Sequence, residues 1–121
     1  MDNQTQRNEL INIMQSMDDC MNQIKRGLDK LDFDLVVKLI GVLTEAFIAV
    51  NEFIISDFPR EVEPVKQRIE TDCGQVNEAL EEVLNTFDNH DMELRLGSFD
   101  QLKNNMLDWT GTLFDVLELH Q

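Results

Sequence analysis

The chain has 121 residues and a formal net charge of −14 at pH 7, with two prolines, five glycines and two cysteines. This length suits one domain with a proper core, so we expect a single domain over 1–121. The acidity repels polyanions and makes nucleic-acid binding through phosphate contacts unfavourable. After Met1 the sequence lacks the basic and apolar regions of a secretory signal, which predicts a cytoplasmic protein with reduced thiols.

The first predicted helix runs from Asn3 to about Lys30. Its apolar residues recur at intervals of three and four, which places them on one helical face. They are Leu10, Met14, Met17, Met21, Ile24, Leu28 and Leu31. The methionines fit a core, and the alternative is a pliable partner-binding face, because Met side chains adapt to different surfaces. Asp32 and Asp34 are then the candidate caps for the next helix.

The second predicted helix contains the most apolar run of the chain, 35–55. Its charged residues Lys38, Glu45 and Glu52 are spaced seven apart and define one narrow solvent side. Three charges and Asn51 make a membrane span unfavourable. The remaining apolar surface is wider than the stripe of roughly 100° that a surface helix buries. A second apolar edge is therefore left for a partner chain, and its residues are Val37, Ile48 and Ile55.

Two prolines, Pro59 and Pro64, predict the main connection of the chain at 57–63. Helix three is expected to begin near Pro64. Its apolar face is Val65, Ile69, Cys73, Val76, Leu80, Val83, Phe87 and Leu94. After Gly97, Ser98 is predicted to cap helix four. The core face of helix four is Leu102, Met106, Trp109, Leu113 and Val116, and its second apolar edge is Leu107, Phe114 and Leu117.

The two halves of the chain follow a similar plan. Phe33-Asp34 recurs as Phe99-Asp100, 66 residues later (99 − 33), and the apolar faces of helices one and two then coincide with those of helices three and four. A weak internal duplication and two independently similar hairpins both explain this. Either way, the predicted fold is all-α: an antiparallel up-down four-helix bundle of two αα-hairpins, 3–56 and 64–120.

On helix three, Glu78-x-x-Glu81-Glu82 is followed by Asp88-x-x-Asp91. This pattern resembles the magnesium-binding motifs of all-α nucleotide pyrophosphatases of the MazG type. That family carries Glu-Glu-x-x-Glu and a later Glu-x-x-Asp. Here Asn85 stands where the third Glu would be, and no Glu-x-x-Asp follows. Independently of the resemblance, Asp88, His90, Asp91 and Glu93 form a local cluster of oxygen and nitrogen donors that suits either a divalent ion or a solvated polar break near a helix end. The resemblance itself implies a metal-dependent hydrolase. The alternative is a solvated outer face of helix three. The implied ligand pool is Glu78, Glu81, Glu82, Asp88 and Asp91.

The sequence contains no Gly-rich phosphate loop, no Ser-His-Asp set and no Cys-x-x-Cys motif. Cys20 follows Asp18 and Asp19, which predicts a raised thiol pKa, the opposite of what a nucleophile needs. The favoured interpretation is a non-enzymatic protein-binding module without a cofactor: an adaptor, a small chaperone or a homo-oligomer such as a homodimer. Its predicted partner-binding residues are Val37, Ile48, Ile55, Leu107, Phe114 and Leu117.

Overall fold

The structure, a computed structural model, describes the backbone of residues 3–86 and 91–119 and the side chains of 5–86 and 91–117. Within these ranges it contains four long helices, two short helical segments and no strand. In chain order the elements are α1 (Asn3–Asp29), α2 (Phe33–Asp57), α3 (Pro59–Val62), a 3-10 turn (Glu63–Val65), α4 (Lys66–Asn85) and α5 (Met92–Leu119).

The four long helices form the predicted antiparallel bundle. α1 packs along α2 and α4 packs along α5, so consecutive long helices make two hairpins. The hairpins contact each other through α1 with α5 and through α2 with α4, which is the up-down-up-down arrangement. Buried apolar side chains from all four long helices form one cluster in the interior. Trp109, Phe47 and Phe58 are its largest fully buried members.

The turn between α1 and α2 combines two capping devices. The Asp32 backbone N–H donates to the Gly27 carbonyl at 2.9 Å, and the Leu31 N–H donates to that of Leu28 at 3.2 Å. This is the Schellman pattern, which here places Leu31 in the left-handed region at φ 55°. Asp32 then caps α2, because its Oδ1 accepts a hydrogen bond from the Leu35 N–H at 3.2 Å. Of the two candidate caps, Asp32 is the one that acts.

The proline connection between the hairpins is helical and anchored in the core. Pro59 occupies the first turn of α3, where its missing N–H is not needed. Phe58 and Val62, on either side of that turn, are both buried. The Phe58 ring lies 6.3 Å from the Phe53 ring of α2. These apolar contacts fix the corner against the end of α2, and Pro64 lies in the 3-10 turn that leads into α4.

The predicted start of the last helix is wrong. α5 begins at Met92, so Gly97 and Ser98 lie inside it, and Ser98 is buried and does not act as a cap. The capping residue is Asp91, whose Oδ1 accepts hydrogen bonds from the N–H groups of Glu93 at 3.0 Å and Leu94 at 3.3 Å. Glycine inside a helix costs only about 1 kcal/mol relative to alanine, which does not end a helix.

The proposed register between the two halves holds in part. The paired positions of α2 and α5 are all buried, from Val36 with Leu102 through Val50 with Val116. The pairing of Leu28 with Leu94 fails, because Leu28 is buried and Leu94 is 40% exposed on α5 instead of belonging to the preceding helix. Phe87 lies outside the described residues. An internal duplication stays a prediction.

Candidate functional site

Large apolar side chains remain exposed on every long helix of the bundle. α2 carries the most of them, in line with its width of apolar surface. Among the side chains that the structure describes, the large apolar residues exposed on the four long helices are Ile13, Phe33, Leu35, Val37, Val42, Ile48, Ile55, Leu84, Met92, Leu94, Leu107 and Phe114. In a chain with a net charge of −14, these side chains are the surface features least compatible with water.

The predicted α2 edge is open to solvent. Val37, Ile48 and Ile55 are 52%, 49% and 53% exposed, so the bundle leaves about half of each side chain uncovered. Asn51 interrupts this edge, and its Oδ1 accepts a hydrogen bond of 2.8 Å from the Trp109 Nε1–H. The Asn51 amide thus orients the Trp109 ring, the single tryptophan of the chain, in the core.

The predicted α5 edge is correct for two of its three residues. Leu107 is 59% exposed and Phe114 is 37% exposed, whereas Leu117 is 1% exposed and belongs to the core. Leu117 follows the buried Leu113 by four residues, so both lie on the same row of the helix. The core face of α5 is therefore wider than predicted, and Leu117 is not part of a binding surface.

Leu107 and Phe114 line a groove between α1 and α5, which we call the α1–α5 groove. Its outer part has a volume of about 580 Å³. Its lining residues are Ile11, Met14, Gln15, Asp18, Asp19, Leu107, Thr110 and Phe114. None of the three α2 edge residues lines it, so the predicted binding residues belong to two separate surfaces.

The α1–α5 groove has a deeper extension toward the core. A pocket of about 60 Å³ shares Met14, Asp18, Leu107 and Thr110 with the outer groove, so the two are continuous. The residues that line only the deeper part are Met17, Met21, Lys103, Met106 and Trp109. The groove therefore leads from solvent down to the buried tryptophan.

Methionine side chains form the floor of this groove. Met14, Met17 and Met21 are each less than a tenth exposed, which confirms the preferred prediction that this stripe belongs to the core. They also line the groove from the α1 side, while Met106 lines it from α5. Unbranched thioether side chains change shape at low cost, so the floor can adjust to the surface that contacts it.

The rim of the α1–α5 groove is polar and asymmetric in charge. Asp18 and Asp19 stand on the α1 side of the groove, both exposed. Lys103, also exposed, stands on α5 at the end of the groove near Met21. Sequence reasoning missed these residues as part of a site, although Asp18 follows Met14 by four residues and so continues the row of the core methionine up to the rim.

The thiols are poorly suited to nucleophilic chemistry. Burial raises the pKa of the Cys20 thiol, whose Sγ lies 3.4 Å from the Leu39 carbonyl oxygen, to which it donates. The direction matches the prediction, and its cause is burial rather than the neighbouring acids. Burial, with the Asp72 charge next in importance, raises the pKa of Cys73 to about 11. Both thiols are free in the structure.

The acidic residues of the hydrolase alternative are not assembled into a metal site within the described ranges. Glu78 and Glu82 line the same shallow depression between α4 and α5, and Glu81 is exposed and does not line it. The Asp91 carboxylate is used to cap α5. Asp88 and His90 lie outside the described residues. Among the side chains that the structure describes, no group of three or more could hold a metal ion.

A buried polar layer at the α4–α5 interface was not anticipated. The Thr112 hydroxyl donates to the Asp72 carboxylate at 2.6 Å, and both side chains are less than a tenth exposed. Nearby along the same interface, the Asn105 side-chain amide donates to the Gln75 carbonyl at 3.1 Å. Thr112 follows Trp109 by three residues, so the two lie on the same side of the helix. This spacing could have predicted from the sequence that Thr112 is buried.

No family model, curated protein or solved structure matches this chain. None of the helices, over the residues described, is long and apolar enough to cross a membrane.

Proposed function

We propose that this chain is a non-enzymatic helical module that binds protein through apolar surface left uncovered on its bundle. The observation that carries the proposal is the α1–α5 groove, a continuous opening with a polar rim and an apolar floor that leads down to buried core residues. Contiguous apolar surface with a polar rim usually marks an interaction site. Under this proposal the chain acts as an adaptor, as a small chaperone or as a homo-oligomeric protein.

The α2 edge adds a second candidate surface of the same kind. Val37, Ile48 and Ile55 lie seven or eleven residues apart, which brings them to one side of the helix. Their exposure of about half each supports a role in contact with another chain, because a helix buries such residues when a neighbour is present. Two surfaces on one small bundle suit a protein that connects others or assembles with itself.

The test compares partner capture by matched surface variants in the native host. Leu107→Asp places a charge in the groove, Ile48→Asp places one on the α2 edge, and Asn104→Asp is the control at an exposed polar position of α5. All three add one negative charge to an exposed helical site, so circular dichroism should show the same fold. We expect that the wild type and the Asn104→Asp control capture at least one host protein that Leu107→Asp or Ile48→Asp no longer captures.

Light scattering on the purified chain tests for self-association. A homo-oligomer would have a multiple of the chain mass, and a substitution in the surface that holds it together would reduce the measured mass to that of the monomer. The proposal is wrong if the chain is monomeric and no captured protein distinguishes the wild type from either variant. A rise in melting temperature with manganese or magnesium that Glu78→Gln and Glu82→Gln abolish would favour the hydrolase instead.

A further inference from the structure

We propose that the α1–α5 groove receives a basic amphipathic helix of a partner protein. This inference rests on the proposed function and adds where the partner binds and which chemistry it carries. Helix-in-groove recognition buries the apolar face of an added helix in a hydrophobic groove, with anchors at i, i+3, i+4 and i+7. The partner helix would lie over the seam between α1 and α5.

The length of the groove sets the length of the helix. Ile11 and Phe114 line one end, and Met21 and Lys103 line the other, as expected for antiparallel helices. Ten residues separate Ile11 from Met21 (21 − 11), which at 1.5 Å per residue span about 15 Å. This corresponds to about three helical turns, so a bound segment of about ten to twelve residues fills the groove.

The floor and the walls of the groove determine which face of the partner enters. Leu107 and Phe114 give exposed apolar walls on α5, and the methionines below them adapt to the shape of the anchor. The deeper pocket of about 60 Å³ next to Trp109 has room for the tip of one apolar side chain. The entering face is therefore apolar, with one anchor longer than the others.

Charge determines the rest of the partner helix. Asp18 and Asp19 stand on the α1 rim, and the chain carries a net charge of −14 around them. A second copy of the chain would bring another −14 to the same place, which makes it the less favourable occupant. Lysine and arginine on the flank of the partner helix that lies along α1 would face the two aspartates, whereas Lys103 stands on the α5 side. Opposite charge along α1 also speeds the encounter.

The probe is an acetylated and amidated model peptide of about fourteen residues, with leucines at i, i+3, i+4 and i+7 and lysines on the other face. Two control peptides accompany it: a scrambled peptide of the same composition, and one with glutamate in place of lysine. Trp109 is the single tryptophan and lines the deeper pocket, so its fluorescence reports occupancy of the groove. We expect saturable binding of the basic amphipathic peptide alone.

Variants of the full chain test whether the peptide binds in the α1–α5 groove. Leu107→Asp, and the double substitution Asp18→Lys with Asp19→Lys, should each weaken binding by about tenfold or more, a loss of about 1.4 kcal/mol. The controls are Asp100→Lys and Asn104→Asp, two exposed polar positions of α5 that do not line the groove. Both controls should change affinity by less than about threefold, because an exposed charge at a distance is screened by salt.

Several outcomes would overturn the inference. Equal binding of the scrambled or the glutamate peptide, or equal losses in groove and control variants, would show non-specific attraction. A dimer that Leu107→Asp dissociates would make a second copy the occupant. If Ile48→Asp loses the captured host protein and Leu107→Asp retains it, the inference fails while the proposed function stands. If neither variant changes capture and the chain is monomeric, both fail.

Discussion

Gly27 tests how closely α1 and α2 approach each other in their hairpin. A Cβ at this position would come within 2.6 Å of Val36 Cγ2, and Val36 is fully buried with a stiff β-branched side chain. Alanine is favoured over glycine in a helix by about 1 kcal/mol. Overpacking a core contact costs about 1–3 kcal/mol. We therefore expect Gly27→Ala to lower the free energy of unfolding by about 1 kcal/mol net.

Two other helical glycines provide matched controls. A Cβ built on Gly41 or Gly74 has nothing within 4 Å, so only the propensity gain remains. Gly41→Ala and Gly74→Ala should each raise the free energy of unfolding, by about 0.5–1 kcal/mol. Urea unfolding followed by circular dichroism and by Trp109 fluorescence measures all three variants with the same linear extrapolation.

A double substitution separates the clash from other effects of the new methyl group. In a Val36→Ala background the close contact is gone, so Gly27→Ala should cost nothing beyond the loss that Val36→Ala causes alone. A Gly27→Ala protein as stable as Gly41→Ala would refute the argument, because it would show that the hairpin opens without strain. An equal loss in both backgrounds would place the cause away from Val36.

Three further predictions concern the turn, the buried polar pair and the half-buried thiol. Leu31→Gly should stabilise the protein by up to about 1 kcal/mol by relieving the positive φ, and Leu31→Ala should not, as urea titrations would show. Thr112→Val removes the donor to buried Asp72 and should cost about 1–3 kcal/mol, whereas Thr112→Ser keeps it. Since the pKa of Cys73 is raised from 9.0 to about 11, the unfolded chain loses this proton first. Stability should fall as pH rises through that window, and less so in Cys73→Ser.

The positions of α1 and α2 and most of their core faces followed from local spacing, whereas Leu31, predicted on the first face, is exposed in the turn. The apolar residues of α1 and α2 recur at three and four, and this periodicity depends only on the helix itself. The cap at Asp32 was also readable, because a short acidic side chain directly before an apolar run accepts the free N–H groups of the first turn. Such features involve residues a few positions apart, so the sequence carries them in full.

The start of α5 could not be predicted from the sequence because two residues are equally good N-cap candidates. Asp91 and Ser98 both suit the position before a helix, and Gly97 made the later one look natural. The seven residues from Asp91 to Ser98 correspond to about two turns, so the apolar phase of the helix is nearly the same from either start. Periodicity therefore could not choose between them.

The α1–α5 groove depends on tertiary structure and could be predicted only in part. Leu107 and Phe114 were identified from their place beside the core face, but their partners across the groove come from the first helix. Which helices adjoin, and how deep the gap between them is, follows from packing in the whole bundle. A binding role for Asp18 and Asp19 could be inferred only once the groove was known, because two adjacent aspartates in a sequence usually indicate an ordinary solvated surface.

The sign of the salt dependence separates a basic partner from a second copy. Two copies would combine −28 (2 × −14) of formal charge, so screening should strengthen self-association as sodium chloride rises from about 0.1 M to about 1 M. A basic helix in the groove should bind more weakly over the same range, and its apolar anchors should retain a residual affinity. Light scattering at both salt concentrations shows whether self-association of the chain strengthens or weakens with salt. The Trp109 titration at the same two concentrations shows how the affinity for the peptide changes. A peptide affinity that rises with salt would contradict the role given to Asp18 and Asp19, because apolar burial alone would then account for binding.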